Sequence, residues 1–91
     1  MYNKVSSMSW VELIAWIKYK INLMVPGLQC EVAYDYNLTT MCMELSMWIG
    51  TSRAVITPIV RHITAREMTF TEEDFVRIVI FPMVMELTGG Q

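Results

Sequence analysis

Cys30, Cys42 and His62 are the side chains here that could serve as a thiol nucleophile or an imidazole base near neutral pH. They lie far apart in sequence, so a nucleophile–base pair would need a tertiary contact. The two cysteines form no CxxC pair and are too few for a disulfide framework. They read as reduced, buried thiols packing as small hydrophobes. His62 has no neighbouring Cys or Asp and no HxH or HExxH spacing, so no zinc site is expected. Met41-Cys42-Met43 offers soft ligands of the kind Cu(I) prefers. On a helix, however, adjacent side chains point about 100° apart and do not converge. No catalytic, metal or cofactor site is expected.

Other motifs carry little. Gly89-Gly90-Gln91 matches the tripeptide of peptide release factors and ends near a di-glycine, but has no basic loop or hairpin around it. It reads as a tail. Asn37-Leu38-Thr39 is a glycosylation sequon, which matters only in a secreted chain. Arg53, Arg61, His62 and Arg66 gather positive charge, yet Glu67, Glu72, Glu73 and Asp74 follow at once. With 7 Lys+Arg against 9 Asp+Glu, the net charge of −2 argues against nucleic acid.

The elements that would position these residues begin with the clearest one. Ser9-Trp10-Val11-Glu12 is a capping box, and Met8 and Leu13 have the spacing of a hydrophobic staple. Trp10, Leu13, Ile14, Ile17, Ile21 and Met24 then recur at helical spacing, until Pro26-Gly27 ends the run. The opposite face holds Val11, Ala15, Trp16, Tyr19 and Leu23, which leaves the helix apolar on most of its circumference.

Residues 30–36 alternate as a strand would. The stretch 39–49 reads either way. Leu38, Met41, Leu45 and Trp48 share a helical face, Met, Leu and Glu favour helix, and Gly50 has the position of a terminating glycine. Thr57-Pro58 reads as a helix cap followed by proline at the first helical position. Thr71-Glu72-Glu73-Asp74 opens a last helix with acidic residues that suit the helix dipole. Pro82 should kink or stop it.

The expected fold is therefore all-α: one domain spanning 1–91, a compact bundle of three to four short helices near 9–25, 39–49, 58–67 and 72–86. Residues 1–7 and 88–91 are expected to fray. The alternative is α+β with a hairpin near 30–47.

Composition supplies the functional expectation. Hydrophobic residues make up 54% of the chain and charged residues 18%, against about 45–50% and about 25% in ordinary soluble domains. The mean hydropathy is +0.36. This excludes disorder. The longest uncharged stretch, 21–30, is too short and too interrupted to span a membrane. The first residues lack the apolar core of a signal peptide, so the chain reads as cytoplasmic. The surplus apolar surface must then meet a partner. The nine methionines add to this, because Met adapts to irregular surfaces.

The expected function is a small non-enzymatic protein–protein interaction module, acting by occupying a partner surface as an inhibitor or accessory factor of phage or mobile-element type. It is expected to form a homodimer. Trp16, Tyr19, Leu23, Met41, Met43 and Met47 are the expected interface. The alternative is a small enzyme or ligand-binding subunit with Cys30, Cys42, Tyr34, Tyr36 or His62 lining an apolar pocket.

The helix starts are directly testable. Ser9→Ala should cost about 1 kcal/mol through the lost cap, a fall of roughly 4–8 °C in melting temperature for a domain this size. Thr71→Ala should act similarly. Calorimetry showing both variants unchanged would displace these boundaries.

Overall fold

The computed structural model describes residues 4–50 and 58–89. It is an α+β fold, and the all-α expectation is overturned by a three-stranded antiparallel sheet in the order β1-β2-β3. Helix α1 spans Trp10–Met24, β1 Cys30–Asn37, β2 Cys42–Ile49 and β3 Ile59–Ile63. A continuous helical stretch closes the chain: α2 at Glu72–Phe75, a π turn at Val76–Ile80 and α3 at Phe81–Leu87.

Helix α1 starts as its sequence dictates. The Ser9 hydroxyl accepts from the Glu12 N–H at 3.2 Å, and the Glu12 carboxylate accepts from the Ser9 N–H at 2.8 Å. These bonds hold the Glu12 carboxyl below its usual pKa. Leu13, Ile17 and Ile21 are its buried residues. Thr71 caps α2 by accepting from the Asp74 N–H at 3.3 Å.

The stretch read as a helix at 39–49 is strand β2. Asn37 turns the chain: its side-chain oxygen accepts from the Thr39 and Thr40 N–H groups at 2.8 and 3.2 Å. Its carbonyl accepts from Met41 N–H at 2.8 Å. Cys42 then pairs with Asn37 and Ile49 with Cys30. Pairing on both sides satisfies the β2 backbone, which overrides the helix preference of Met, Leu and Glu. Gly50 leaves the strand at φ 111°, a value glycine adopts freely.

The expected helix at 58–67 is also absent. In its place β3 runs antiparallel to β2, with Leu45 opposite Arg61 and Met47 opposite Ile59. The Thr57 half of the expected cap lies outside the described residues. Pro58 directly precedes β3. The ladder alternation puts its nitrogen on the open edge, where a missing N–H costs no bond.

Pro82 neither breaks nor ends the last helix. It sits in the first turn of α3, directly after the π turn, and the Phe81 N–H donates to the Val76 carbonyl. The wider turn makes room for a ring that would otherwise clash with the preceding turn. Val5, expected to fray, is instead fully buried in a short 3-10 turn, and its N–H donates to the Phe70 carbonyl at 3.0 Å.

One apolar cluster unites these elements. Cys30, Val32, Tyr34, Leu45, Met47 and Ile63 supply the sheet's inner face, and Phe75, Val79, Ile80, Met83 and Val84 the last helical stretch. Trp16 meets Phe75 with ring centroids 6.1 Å apart. Arg61 also lies on the inner face by register. Its guanidinium grips Glu67 with two bonds, 3.0 and 2.6 Å. Glu67 and Thr64 exchange reciprocal bonds at 3.0 and 3.2 Å, which ties the 3-10 turn Glu67–Thr69 to the end of β3.

The Arg61 guanidinium and the Thr64 donors hold the Glu67 carboxyl below its ordinary pKa. A depressed folded pKa contributes stability above the unfolded value. That contribution is lost as pH falls through the carboxylate range. Glu67→Gln should therefore destabilise at neutral pH, by roughly 1 kcal/mol, and the difference from wild type should shrink below about pH 4. Denaturant titrations at several pH values check this; a constant difference would remove the ion pair from the account.

Candidate protein-interaction surface

The residues able to do chemistry are sorted by the sheet onto opposite faces. Cys30, Tyr34 and Tyr36 share the inner-face register, whereas Cys42 and His62 lie on the outer face. The sheet therefore does not bring all five together. An open cleft of about 300 Å³ contains Cys30 together with Lys18, Asn22, Leu28, Gln29 and Glu31, but none of the other four.

Cys30 is buried, and desolvation pushes its thiol pKa up, which disfavours the reactive thiolate. Tyr34 is raised for the same reason, and its hydroxyl donates to the Met68 sulfur at 3.3 Å. On the outer face, His62 Nε2 lies 3.0 Å from Glu44 Oε2, which also accepts from the Asn37 amide at 2.8 Å. The Cys42 thiol donates to the Thr40 carbonyl at 3.4 Å. His62 is thus engaged by a carboxylate, not by a thiol. Among the described residues no group of three or more His, Cys, Asp or Glu is arranged to hold a metal ion.

Exposed apolar side chains are the conspicuous feature. Along α1, Val11, Ala15, Tyr19 and Leu23 stand out from the protein, with Tyr19 60% exposed. Their spacing of four makes one ridge of the kind that packs into a facing groove. At the β1–β2 turn, Leu38 is 80% exposed and Met41 68%. Tyr36 stands beside them, its hydroxyl 3.7 Å from the Met41 sulfur. Trp10 brings the two regions together. Its indole N–H donates to the Tyr34 carbonyl at 2.7 Å, which anchors the start of the helix ridge to the strand carrying the turn.

Met41 has a backbone cost. It is the non-glycine residue with positive φ, at 60°, among those described. That left-handed conformation costs about 1–2 kcal/mol for an ordinary side chain. The turn would accept glycine without strain, yet it carries a long apolar side chain pointed at solvent.

The expected interface residues divide. Tyr19, Leu23 and Met41 are exposed. Trp16 and Met43 are half-buried against the core, and Met47 is fully buried beneath the sheet. Trp10, Tyr36 and Leu38 escaped the sequence reading as surface residues, and Val11, read on the second apolar face of α1, was left out of the expected interface. Trp10 has the spacing of the buried stripe, but it is the first helical residue, and its indole binds the strand's outer edge. The alternation around Asn37 was the signal for the rest, since a hairpin there places Leu38 and Met41 in its loop.

Compared with known proteins, the chain matches no family model, no curated protein and no solved structure. Among the described residues no helix is long and apolar enough to cross a membrane.

The contrast between the thiols is measurable. Under native conditions Cys42 should be alkylated by iodoacetamide well before the buried Cys30, with mass mapping as the readout. Equal rates would show that Cys30 is not shielded by the core.

Proposed function

We propose that this chain is a non-enzymatic protein-binding module that works by occupying another protein's surface, as an inhibitor or accessory factor. The observation that carries this reading is the turn at Met41. The chain holds a strained, left-handed methionine there, with Leu38 and Tyr36 beside it, all three exposed. Strain of this kind persists where the surrounding structure enforces it, and it concentrates at functional sites. Methionine and aromatic side chains give such a tip an adaptable apolar contact.

The ridge on α1 serves a different contact in this reading. Val11, Ala15, Tyr19 and Leu23 pair the protein with a second copy, leaving the turn free for the target. Small Ala15 within the ridge allows a second helix to approach closely. Neither role asks anything of Cys42 or His62.

Two experiments test the proposal. Analytical ultracentrifugation at micromolar concentration should show a dimer, and Tyr19→Lys with Leu23→Lys should return it to the 10.6 kDa monomer. A wild-type monomer would remove self-association. Affinity capture from the source organism's lysate tests the tip. Leu38→Glu or Met41→Lys should abolish stoichiometric capture, whereas Cys42→Ser with His62→Asn should leave it intact, with folding checked by circular dichroism. The opposite pattern would sink the binding reading.

Met41→Gly gives a sharper outcome. Relieving the left-handed strain should stabilise the protein by up to about 1 kcal/mol, while removing the side chain weakens capture. A variant both less stable and fully competent would contradict the role assigned to the tip.

A further inference from the structure

Two tyrosine–methionine contacts stand side by side on β1. Tyr34 donates its hydroxyl to the sulfur of Met68 at 3.3 Å, and Tyr36 donates to the sulfur of Met41 at 3.7 Å. The first is sealed: Tyr34 is buried and Met68 packs against the core. The second stands in solvent. Among the described residues every methionine other than Met41 is half-buried or buried.

We propose that Met41 is an oxidation site, and that its sulfoxide converts the turn from an apolar contact surface to a polar one. The oxidant is a peroxide. The Met41 sulfur lone pair attacks one peroxide oxygen, an S–O bond forms and the O–O bond breaks. The departing oxygen takes the proton of the transferred one and leaves as water. Sulfur is oxidised by two electrons and the peroxide is reduced. Accessibility selects Met41, because this reaction follows exposure of the sulfur.

Tyr36 gives the product a place in the structure. A thioether is a weak acceptor, whereas the sulfoxide oxygen is polar and accepts strongly. The Tyr36 hydroxyl already stands beside that sulfur, so it is poised to donate to the new oxygen. The modified turn then presents a bonded polar group where Leu38 and Met41 offered an apolar contact, and such a change disrupts methionine-lined interfaces. Reductases that act on methionine sulfoxide would restore it. The consequence for binding rests on the proposed function; the site and its chemistry do not.

The test uses the free protein, so its failure is separate from any failure to find a partner. Hydrogen peroxide is titrated in, and each methionine is followed by peptide mass mapping. Met41 should oxidise several-fold faster than Met8, Met24, Met43, Met68 and Met85. In tyrosine-labelled NMR spectra the Tyr36 ring signal should move in step with that modification, while the Tyr34 signal stays in place. Met41→Leu should remove the fast phase and leave the other rates unchanged. A half-buried methionine that reacts as fast as Met41, or a Tyr36 signal indifferent to the modification, would overturn the proposal.

Discussion

Strand β2 is the constraint on which the rest depends. It is paired on both edges, and Leu45, Ser46 and Met47 in its middle are each almost fully buried. A strand paired along both edges needs its backbone bonds satisfied by neighbours, so β1 and β3 must both form for β2 to exist. The helices then gather over one face. The strand residues in the apolar cluster all lie on that face, with Leu45 and Met47 at its centre.

The open edges of a three-stranded sheet invite unwanted pairing, and each edge carries its own obstacle. On β1, the Trp10 indole occupies the Tyr34 carbonyl, and Lys18 reaches Glu31 at 3.0 Å. On β3, the strand is short, Pro58 precedes it, and the Arg61 guanidinium donates to the His62 carbonyl at 3.3 Å. Contacts through side chains of α1 and the β1–β2 turn therefore suit this fold better than extension of its sheet. That is also where Tyr19, Leu23, Leu38 and Met41 are exposed.

The same sheet geometry separates the chemical groups. Successive residues on a strand point to opposite faces. Cys30 goes inward with the core, while Cys42, Glu44 and His62 go outward. The inner thiol is desolvated and the outer imidazole is held by Glu44. The functional reading consequently rests on shape and apolar surface.

Local features of this protein were legible in its residues alone. The Ser9 capping box, the Thr71 cap and, from Leu13 onward, the buried stripe of α1 are decided within a few neighbouring residues and stand as the sequence reads. The alternation at 30–36 likewise marks β1. Tertiary structure decided the remainder. In β2, Met43, Leu45 and Met47 alternate with Glu44 and Ser46 as a strand would, but Leu38, Met41, Leu45 and Trp48 fit a helical face as well, and only pairing with β1 and β3 decides between the two. In β3, Ile59, Val60 and Ile63 fit a helical stripe and a strand equally, and only pairing with β2 separates the two. The candidate surface divides in the same way. Tyr19 and Leu23 follow from a helix apolar on two sides, because one core can cover only one of them. Trp10, Leu38 and Met41 owe their positions to the β1–β2 turn and to the strand edge it leaves open. The Trp10–Tyr34 contact joins residues 24 apart in the chain, and no local pattern records it.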